Sequence, residues 1–488
     1  MRLRSSVIAI TMLVAVIVCA VDAYAQNPTL DPTVLADNLT QGFHADRNYF
    51  SPEPWEHFDP VTGNIILTFT DLTLPGNAGR ELHFQRTFNN LRSISGPNAV
   101  SRWTFGFPNI VMRVIEHPIT AGFDYDDRLE TVLAVTPRLV MADGSERSTV
   151  FVQRPAIVPA GEMPTVEESQ TWRWVRSGEF FEYDIETNQL WMPDGTVCQY
   201  DADGRLVNFR DPFNNLVTLD RSTAGALRVI QDMGNGESRT VTFTLDGEGR
   251  PTQMEFLGRT WQYAYGAPYQ GVRDIETVTV QPSASNWAFA YGPGDLTTVT
   301  TPAQGQVSYQ YDDPWVYDPL YPDDPDHREQ IHVLKRRISS GPTGTTSGTW
   351  DLLYGPGYGE SYSKTTQITM PSGAYVVFEH NSVVQQPGVV MAGGLGLHTR
   401  TLYDATGAPV ERESLTYAVV KTVQWDPEPS WPNFTQPHWW GTVKIQERTI
   451  TRPSTGSLQT YTTTFTYPTT FPGNYHQPSR IVWIPGAA

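Results

Sequence analysis

The sequence is poor in cysteine, in basic residues and in long apolar runs. Its 488 residues include 2 cysteines, and 34 lysines and arginines stand against 52 aspartates and glutamates. Removal of the leader described below leaves Cys198 as the single cysteine, which excludes an intramolecular disulfide, so packing alone must hold the exported chain together. The net charge of −18 becomes about −19 without the leader and disfavours binding to nucleic acid or anionic lipid.

The one long apolar run lies at the N-terminus. Arg2 and Arg4 precede an almost wholly apolar stretch over 7–20, and small residues follow at 23–25. This order is typical of a cleaved export signal, so we predict a signal peptide over 1–25 and a secreted or cell-surface protein. A membrane anchor is the weaker alternative, because the run is shorter than the roughly 20 residues that a spanning helix needs.

A long amphipathic helix is also missing after the leader. The chain instead alternates branched or aromatic residues with polar ones, for example over 64–74, 239–250, 276–294 and 458–468, and Gly, Pro, Asn and Asp interrupt the pattern. Such alternation suits strands that bury one face. The sequence therefore predicts an all-β protein.

A short turn motif recurs between the predicted strands. Tyrosine or leucine precedes aspartate, and glycine follows three residues after the aspartate, in YDADGR (200–205), LDGEGR (245–250) and YDATGA (403–408). Glycine can adopt the positive φ of a tight turn, aspartate can bond the turn's amides, and the aromatic residue can anchor the strand. We interpret the motif as a structural repeat and not as a catalytic fragment. Its residues are Tyr200, Asp201, Gly204, Arg205, Leu245, Asp246, Gly249, Arg250, Tyr403, Asp404 and Gly407.

Further glycine turns extend this pattern. They are predicted at Asp194-Gly195, Gln304-Gly305 and Ser372-Gly373, each followed by a strand that ends in an aromatic residue. Their uneven spacing argues against a propeller or solenoid of fixed period.

These units resemble the repeats of RHS/YD-repeat proteins, a group that includes bacterial toxin shells and teneurin shells. The stretch DPVTGNIILTFTDLTLPGNAGRELHFQRTFNN (59–90) is more specific, and it is similar to the module that precedes the repeats in many exported members. The resemblance implies one continuous antiparallel β-sheet ribbon that forms a partial spiral or shell. It also implies a non-enzymatic scaffold that encloses or presents a toxin or effector, or that mediates cell-surface contact.

The resemblance also implies a division of the chain. We expect a polar lead-in over 26–50, an N-terminal β module over 51–180, and a YD-repeat region over 181–488 with an insertion at 312–330. The sequence ends without the core signature and toxin domain of family shells. We therefore expect a second protein chain, or downstream repeats, to complete the sheet.

No residue set in the sequence predicts a catalytic, cofactor or metal site. The acidic stretch 311–332 has a spacing that matches no calcium loop, and His327 and His332 lie five apart, which is not the zinc-protease spacing. We interpret this stretch as a solvated insertion. Cys198 lies in an alternating strand, where a buried thiol acts as a small hydrophobic side chain.

A tryptophan-rich stretch supports a rival function. Residues 425–441 include Trp425, Trp431, Trp439 and Trp440. Exposed in one row, these rings would stack on sugars; packed together, they would cover a sheet edge. We favour the interpretation that these rings cover a sheet edge, and a secreted carbohydrate-binding β protein is the alternative. A secreted glycoside hydrolase would need two carboxylates facing each other, roughly 5 to 9 Å apart.

Overall fold

The computed structural model describes residues 48–484, with gaps. The gaps are 77–80, 91–100, 108, 120–129, 142–145, 149, 156–169, 176–180, 185, 193, 235, 270, 314, 318–327, 331, 356–363, 383–388, 393–394, 426–437, 455–456 and 467–479. All 35 regular elements in the described part are β-strands, which confirms the all-β prediction. None of the described residues forms a helix that could cross a membrane. The predicted signal peptide lies outside these residues, as does nearly all of the lead-in.

The first sheet has five strands in chain order and is called the N-terminal sheet below. Its strands are β1 (Phe50–Glu53), β2 (Glu56–Phe58), β3 (Ile65–Leu74), β4 (Leu82–Asn89) and β5 (Trp103–Phe105). All four pairings are antiparallel. A turn over 59–64 joins β2 to β3, and it contains several of the residues on which the family resemblance depends.

Two smaller sheets are separate from the others. One contains β6 (Asn109–Ile119), β7 (Glu130–Val140) and β8 (Glu146–Ser148), and the other is a hairpin of β24 (Trp315–Tyr317) and β25 (Arg328–Gln330). The hairpin lies within the predicted insertion at 312–330. Its two strands pair with each other and leave the neighbouring strands of the main sheet free to pair across the insertion.

The main sheet, called the ribbon below, is made of successive strands that pair antiparallel with their neighbours. Its first part is β9 (Val150–Pro155), β10 (Gln170–Val175), β11 (Glu182–Asp184), β12 (Gln189–Trp191), β13 (Val197–Tyr200), β14 (Leu206–Arg210), β15 (Leu216–Asp220), β16 (Ala226–Asp232), β17 (Ser238–Leu245), β18 (Pro251–Phe256), β19 (Arg259–Tyr265), β20 (Ile275–Gln281), β21 (Ser285–Tyr291), β22 (Leu296–Thr300) and β23 (Gln306–Asp312).

The ribbon continues beyond the insertion. Its second part is β26 (Val333–Ser340), β27 (Thr346–Tyr354), β28 (Lys364–Thr369), β29 (Tyr375–Ser382), β30 (Val389–Ala392), β31 (Leu395–Tyr403), β32 (Pro409–Trp425), β33 (His438–Ser454), β34 (Ser457–Thr466) and β35 (Arg480–Ile484). Here β29 pairs with β31, and β30 runs parallel to β33.

The predicted continuous antiparallel ribbon is confirmed. Strand β9 pairs with β10 and β35 pairs with β34, and no register joins these two end strands, so the described ribbon is an open sheet. Its pairing begins at Val150, upstream of the module boundary predicted at 180/181. That boundary, drawn from the family resemblance, stays a prediction about modules.

One turn geometry occurs eight times in the described part of the ribbon. In each copy the amide of the first residue donates to the carbonyl of the fifth, and the amide of the fourth donates back to the carbonyl of the first. The fourth residue always has positive φ, between 64° and 86°. The first residues of the eight turns are Met192, Asp201, Asp211, Asp246, Thr301, Gly341, Met370 and Asp404.

Long and short connections occupy different edges of the ribbon. Successive connections of an antiparallel sheet fall alternately on its two edges. From β19 onward, every connection of more than five residues joins strand ends on one edge, and the turns at 301–305, 341–345, 370–374 and 404–408 lie on the other. The strand ends that flank the acidic insertion and the tryptophan-rich stretch therefore share an edge.

Candidate functional site: the interface between the N-terminal sheet and the ribbon

The N-terminal sheet covers one face of the ribbon with aromatic side chains. Phe69 of β3 packs edge-on against Trp287 of β21, and Trp103 of β5 packs edge-on against Phe289, with ring centroids 4.8 Å apart in both pairs. Phe69, Trp103 and Phe289 are almost completely buried. Alternation along β21 and its neighbours presents these residues on one face, so the interface is built from the period-two pattern of the sequence.

A buried ion pair lies beside these rings. The Arg86 side chain is 1% exposed, and its Nε lies 3.1 Å from both carboxylate oxygens of Asp71. The guanidinium lies 4.1 Å from the centre of the Phe69 ring, a favourable cation–π arrangement. From the ribbon, Tyr263 donates to Asp71 Oδ2 at 3.0 Å. The tyrosine hydroxyl thus joins the two sheets at a charge that Arg86 already compensates.

A second ion pair crosses the interface directly. Arg102, next to β5, donates through Nε to Asp274 Oδ2 at 2.8 Å, and its backbone amide donates to Asp274 Oδ1 at 2.8 Å. Both side chains are 7% exposed. The arginine also donates through Nη1 to the carbonyl of Gly294. Two charges this deeply buried are tolerated because each is paired and hydrogen-bonded by the other.

A third ion pair is fully buried. Glu56 of β2 and Arg337 of β26 both have 0% exposed side chains and lie 3.0 Å apart. Tyr309 of β23 donates to Glu56 Oε1 at 2.7 Å, and the guanidinium lies 4.1 Å from the centre of the Trp350 ring. Burial raises the pKa of Glu56, while Arg337 and Tyr309 act to lower it. The carboxylate therefore depends on these two partners for its charged form.

Further hydrogen bonds complete the interface. Asn90 donates through Nδ2 to Asp295 Oδ1 at 3.0 Å and accepts from the backbone amide of Leu296 at 3.1 Å. Trp103 Nε1 donates to the hydroxyl of Tyr291 at 2.9 Å. Each contact joins the N-terminal sheet to the turn and strands around β21 and β22.

The turn over 59–64 extends the interface to later strands. Asp59 accepts from the amide of Val61 at 2.8 Å and from the hydroxyl of Thr62 at 2.7 Å, which closes the turn. Gly63 has a φ of 70°, and a Cβ at this position would lie 2.9 Å from the Cα of Val333 and closer still to its side chain. The carbonyl of Gly63 accepts from the amide of Leu334 at 2.9 Å. Only glycine allows the two backbones to approach this closely.

The same face of the ribbon has a different character beyond β29. Directly paired residues share a face, so buried Phe378 faces the same side as Arg400 and Glu413 of the next two strands. Arg448 Nε lies 2.6 Å from Glu413 Oε1, and Arg452 Nη2 lies 2.8 Å from Glu411 Oε2. The side chains of Arg448 and Arg452 are 47% and 55% exposed. This charged network is called the C-terminal charged face below.

The structure places the predicted repeat residues in turns. Gly204, Gly249 and Gly407 have φ values of 74°, 79° and 86°. Asp201, Asp246 and Asp404 each accept two backbone amides through Oδ1. Arg250 forms a 2.7 Å ion pair with Asp246, whereas Arg205 lies 3.4 Å from Asp203. Tyr200 is buried and Leu245 and Tyr403 are half-buried.

Two turns differ from the sequence interpretation. Asp211–Asn215 has the same geometry as the repeat turns, with Asn214 at a φ of 70° in the place of glycine. The signal in the sequence was an Asp followed three residues later by Asn, which also tolerates positive φ. In the turn predicted at Gln304-Gly305, Gln304 and not Gly305 has the positive φ, of 64°.

A recurring tyrosine hydrogen bond was not predicted from the sequence. The hydroxyls of Tyr265, Tyr291, Tyr311 and Tyr417 donate to carbonyls of the preceding strand at 2.7–2.8 Å. All four tyrosines lie where the strand register shifts. An aromatic residue near the end of an alternating strand was the available signal, but register shifts cannot be read from alternation alone.

Cys198 and the described part of the acidic stretch are the other candidate sources of chemistry. Cys198 is 2% exposed, and burial raises the pKa of its thiol to about 12, which leaves it unreactive. Among the described residues no group of three His, Cys, Asp or Glu side chains could hold a metal ion. Asp318, Asp323, Asp324, Asp326 and His327 of the acidic stretch lie outside the described residues.

The tryptophans lie on one paired stretch of backbone. Trp439 of β33 pairs with Gln424, Trp440 pairs with Val423, and Trp425 of β32 pairs with His438. Trp431 lies outside the described residues. The suggestion that these tryptophans contact a ligand stays a prediction.

Comparison with known proteins gives a limited result. No family model and no curated protein matches the sequence. Among solved structures, the chain is similar to "Crystal Structure of TcdB2-TccC3-Cdc42" (TM-score 0.29, 12% identity, 86% of this chain and 23% of that chain) and to "Crystal Structure of TcdB2-TccC3" (0.26, 8%, 87% and 30%). The chain thus spans less than a third of the length of each of these solved chains. At such TM-scores the likeness supports no inference about function.

Proposed function

We propose that this protein is an exported, non-enzymatic scaffold and forms the N-terminal part of a β-sheet shell of the RHS/YD type. The shell encloses or presents a toxin or effector, or mediates contact at the cell surface. The observation that carries the proposal is the interface between the N-terminal sheet and the ribbon. Three arginine–carboxylate clusters and a continuous aromatic layer fill it. These groups hold the two sheets in a fixed arrangement.

The chemistry of the interface supports a structural role. Asp71, Asp274 and Glu56 are each compensated by an arginine, and Asp71 and Glu56 also accept from a tyrosine. Paired charges of this kind hold surfaces in register. A catalytic carboxylate would instead face substrate.

The C-terminal charged face supports a partner for the shell. Arg448 and Arg452 lie half-exposed on the face that the N-terminal sheet covers earlier in the ribbon. We infer that a second chain, or the sheet formed by further repeats, covers this face, and that export depends on the predicted signal peptide.

Co-expression of the mature chain with the products of neighbouring genes tests the scaffold. We expect a stoichiometric complex by size-exclusion chromatography with light scattering, and protection of the partner from added protease. Asp274→Ala, which removes the carboxylate held by Arg102, should expose the partner to protease, whereas Asp351→Ala on an exposed ion pair should not. A mature chain that stays monomeric with every neighbouring product and leaves all of them protease-sensitive would overturn the scaffold.

Carbohydrate binding is the second candidate, and it rests on the paired positions of Trp425, Trp439 and Trp440 on adjacent strands. A glycan array probed with the mature chain and with a Trp425→Ala, Trp439→Ala, Trp440→Ala variant tests it. Binding that the triple variant loses would favour this function over the scaffold.

A further inference from the structure

His332 lies between two carboxylates. Its Nδ1 contacts Asp313 Oδ1, and its Nε2 lies 2.9 Å from Asp295 Oδ1. The ring stacks on Tyr311, with centroids 4.9 Å apart and an interplanar angle of 16°. A neutral imidazole has one N–H and one lone pair, whereas an imidazolium has N–H groups on both nitrogens. With a carboxylate oxygen close to each nitrogen, the arrangement favours the imidazolium; the contact at Nε2 is an ion pair without hydrogen-bond alignment.

The two carboxylates belong to different parts of the fold. Asp313 directly follows β23, and His332 directly precedes β26, so this contact joins the two described ends of the insertion. Asp295 lies in the turn between β21 and β22, where it also accepts from Asn90 of the N-terminal sheet at 3.0 Å. Tyr311 donates from its hydroxyl to the carbonyl of Leu296 beside this turn, at 2.7 Å.

We propose that His332, as an imidazolium, is a pH-sensitive clasp that ties the base of the insertion to the N-terminal sheet through Asp295. Loss of the ring proton leaves a lone pair facing one of the two carboxylates. The contact then turns from attraction to repulsion, and the link from Asp313 to Asn90 is broken at His332.

The surrounding charges set the pH at which the clasp opens. The ion pair with Asp295 contributes most to a raised pKa of His332, partial burial opposes it, and Asp313 adds to it, so the pKa is about 9. Asp295 has a lowered pKa despite its burial, because the contact with His332 and the hydrogen bond from Asn90 both favour its carboxylate form. Arg102 lies near Asp295, and Lys335 is paired with Asp312 at 2.8 Å. Among the described residues, Asp295 and Asp313 are the charged groups that contact the ring, and Tyr311 is the titratable side chain stacked on it.

The sign of the effect follows from the raised pKa. The folded state holds the His332 proton more tightly than the unfolded chain, whose histidines titrate near roughly 6.5. The clasp therefore stabilises the folded protein fully below about pH 6.5, and its contribution is lost as pH rises through about 9.

A histidine NMR titration of the full mature chain tests the clasp directly. The His332→Gln spectrum identifies the His332 resonance. We expect this resonance to titrate near pH 9 in the unmodified protein, and about one unit or more lower in Asp313→Asn, because one neighbouring charge is removed. Titration near pH 6.5, or no change on Asp313→Asn, would overturn the proposal.

Urea unfolding across the same pH range gives a second readout. The midpoint of His332→Gln should lie below that of the unmodified protein at pH 6 and should converge with it above pH 9. His398→Gln, at an exposed position on β31, is the matched control and should show no such convergence. A gap that stays constant with pH would mean a purely structural role. If His332→Gln does not fold, Asp313→Asn at its exposed site replaces it in the urea series, and the histidine resonance that shifts in Asp313→Asn identifies His332.

Discussion

Two halves of one ribbon face differ in whether another sheet covers them. From β17 to β28 the face is covered by the N-terminal sheet and the turn over 59–64, and Arg337 of β26 is buried there against Glu56 and the Trp350 ring. From β31 to β34 the same face has arginines that are about half exposed and that pair with glutamates of adjacent strands. We therefore expect coverage to decide how much a charged pair contributes to stability.

The largest effect is expected when one arginine is removed from each half. Arg337→Met leaves Glu56 buried without its charge partner and should destabilise the protein by about 3–5 kcal/mol. Arg452→Met removes an exposed pair with Glu411 and should cost less than about 1 kcal/mol. Urea midpoints of the two variants measure the difference. Similar losses of stability in the two variants would show that coverage by the N-terminal sheet does not change the contribution of a charged pair.

Glycine substitutions probe the close approach that coverage requires. Gly63→Ala introduces both a strained positive φ and a clash with Val333, and should cost about 3 kcal/mol. Gly236→Ala has a similar φ, of 83°, but no atom lies within 4 Å of the new Cβ, so about 1 kcal/mol of strain is expected. Thermal unfolding compares the two. If Gly236→Ala loses as much stability as Gly63→Ala, the loss at Gly63 comes from backbone strain and not from the contact with Val333.

Turn aspartates in the two halves differ by one ion pair. Partial burial acts to raise the pKa of Asp246, but hydrogen bonds from the amide and side chain of Arg250 outweigh it and hold the pKa below 3.8. Asp246→Asn keeps the amide contacts and loses this ion pair, at a cost of about 1 kcal/mol. The loss of stability in Asp246→Asn should therefore be larger than the loss in Asp404→Asn.

The lowered pKa of Asp246 gives the pH dependence a definite sign. Its contribution is present above pH 3.8 and is lost as pH falls through the folded-state pKa. The gap between Asp246→Asn and the unmodified protein should therefore close in acid, as urea midpoints between pH 6 and pH 2.5 will show. A gap that widens in acid contradicts the assignment.

The smallest expected effect is one that the two halves share. Gly249→Ala and Gly407→Ala each force an alanine to a φ near 80° with no severe contact, so each should cost about 1 kcal/mol. Gly247→Ala lies in the same turn as Gly249 without a positive φ and should be nearly neutral. Differential scanning calorimetry is sufficient for this comparison. Unequal losses at Gly249 and Gly407 would mean that coverage reaches the turns as well as the face.

Local chemistry made much of the fold predictable. Alternation of branched and aromatic residues predicts strands because side chains in a strand point to opposite faces with period two, and the all-β class was predicted on that basis; the continuous ribbon was an implication of the family resemblance. Turns such as Asp246–Arg250 were predictable because the aspartate and the positive-φ glycine lie within five residues. Cys198 was correctly placed in a buried strand position for the same local reason.

The contacts across the interface were decided only by tertiary structure. Glu56 and Arg337 are separated by 281 positions, and Arg102 and Asp274 by 172. Each looks in the sequence like an ordinary surface charge. Alternation assigns a residue to one of two faces but does not say which part of the chain will cover that face. By itself the sequence determined strands, turns and their polarity. Folding of the N-terminal sheet onto the ribbon then decided which arginines are buried, because burial depends on residues far away in the chain.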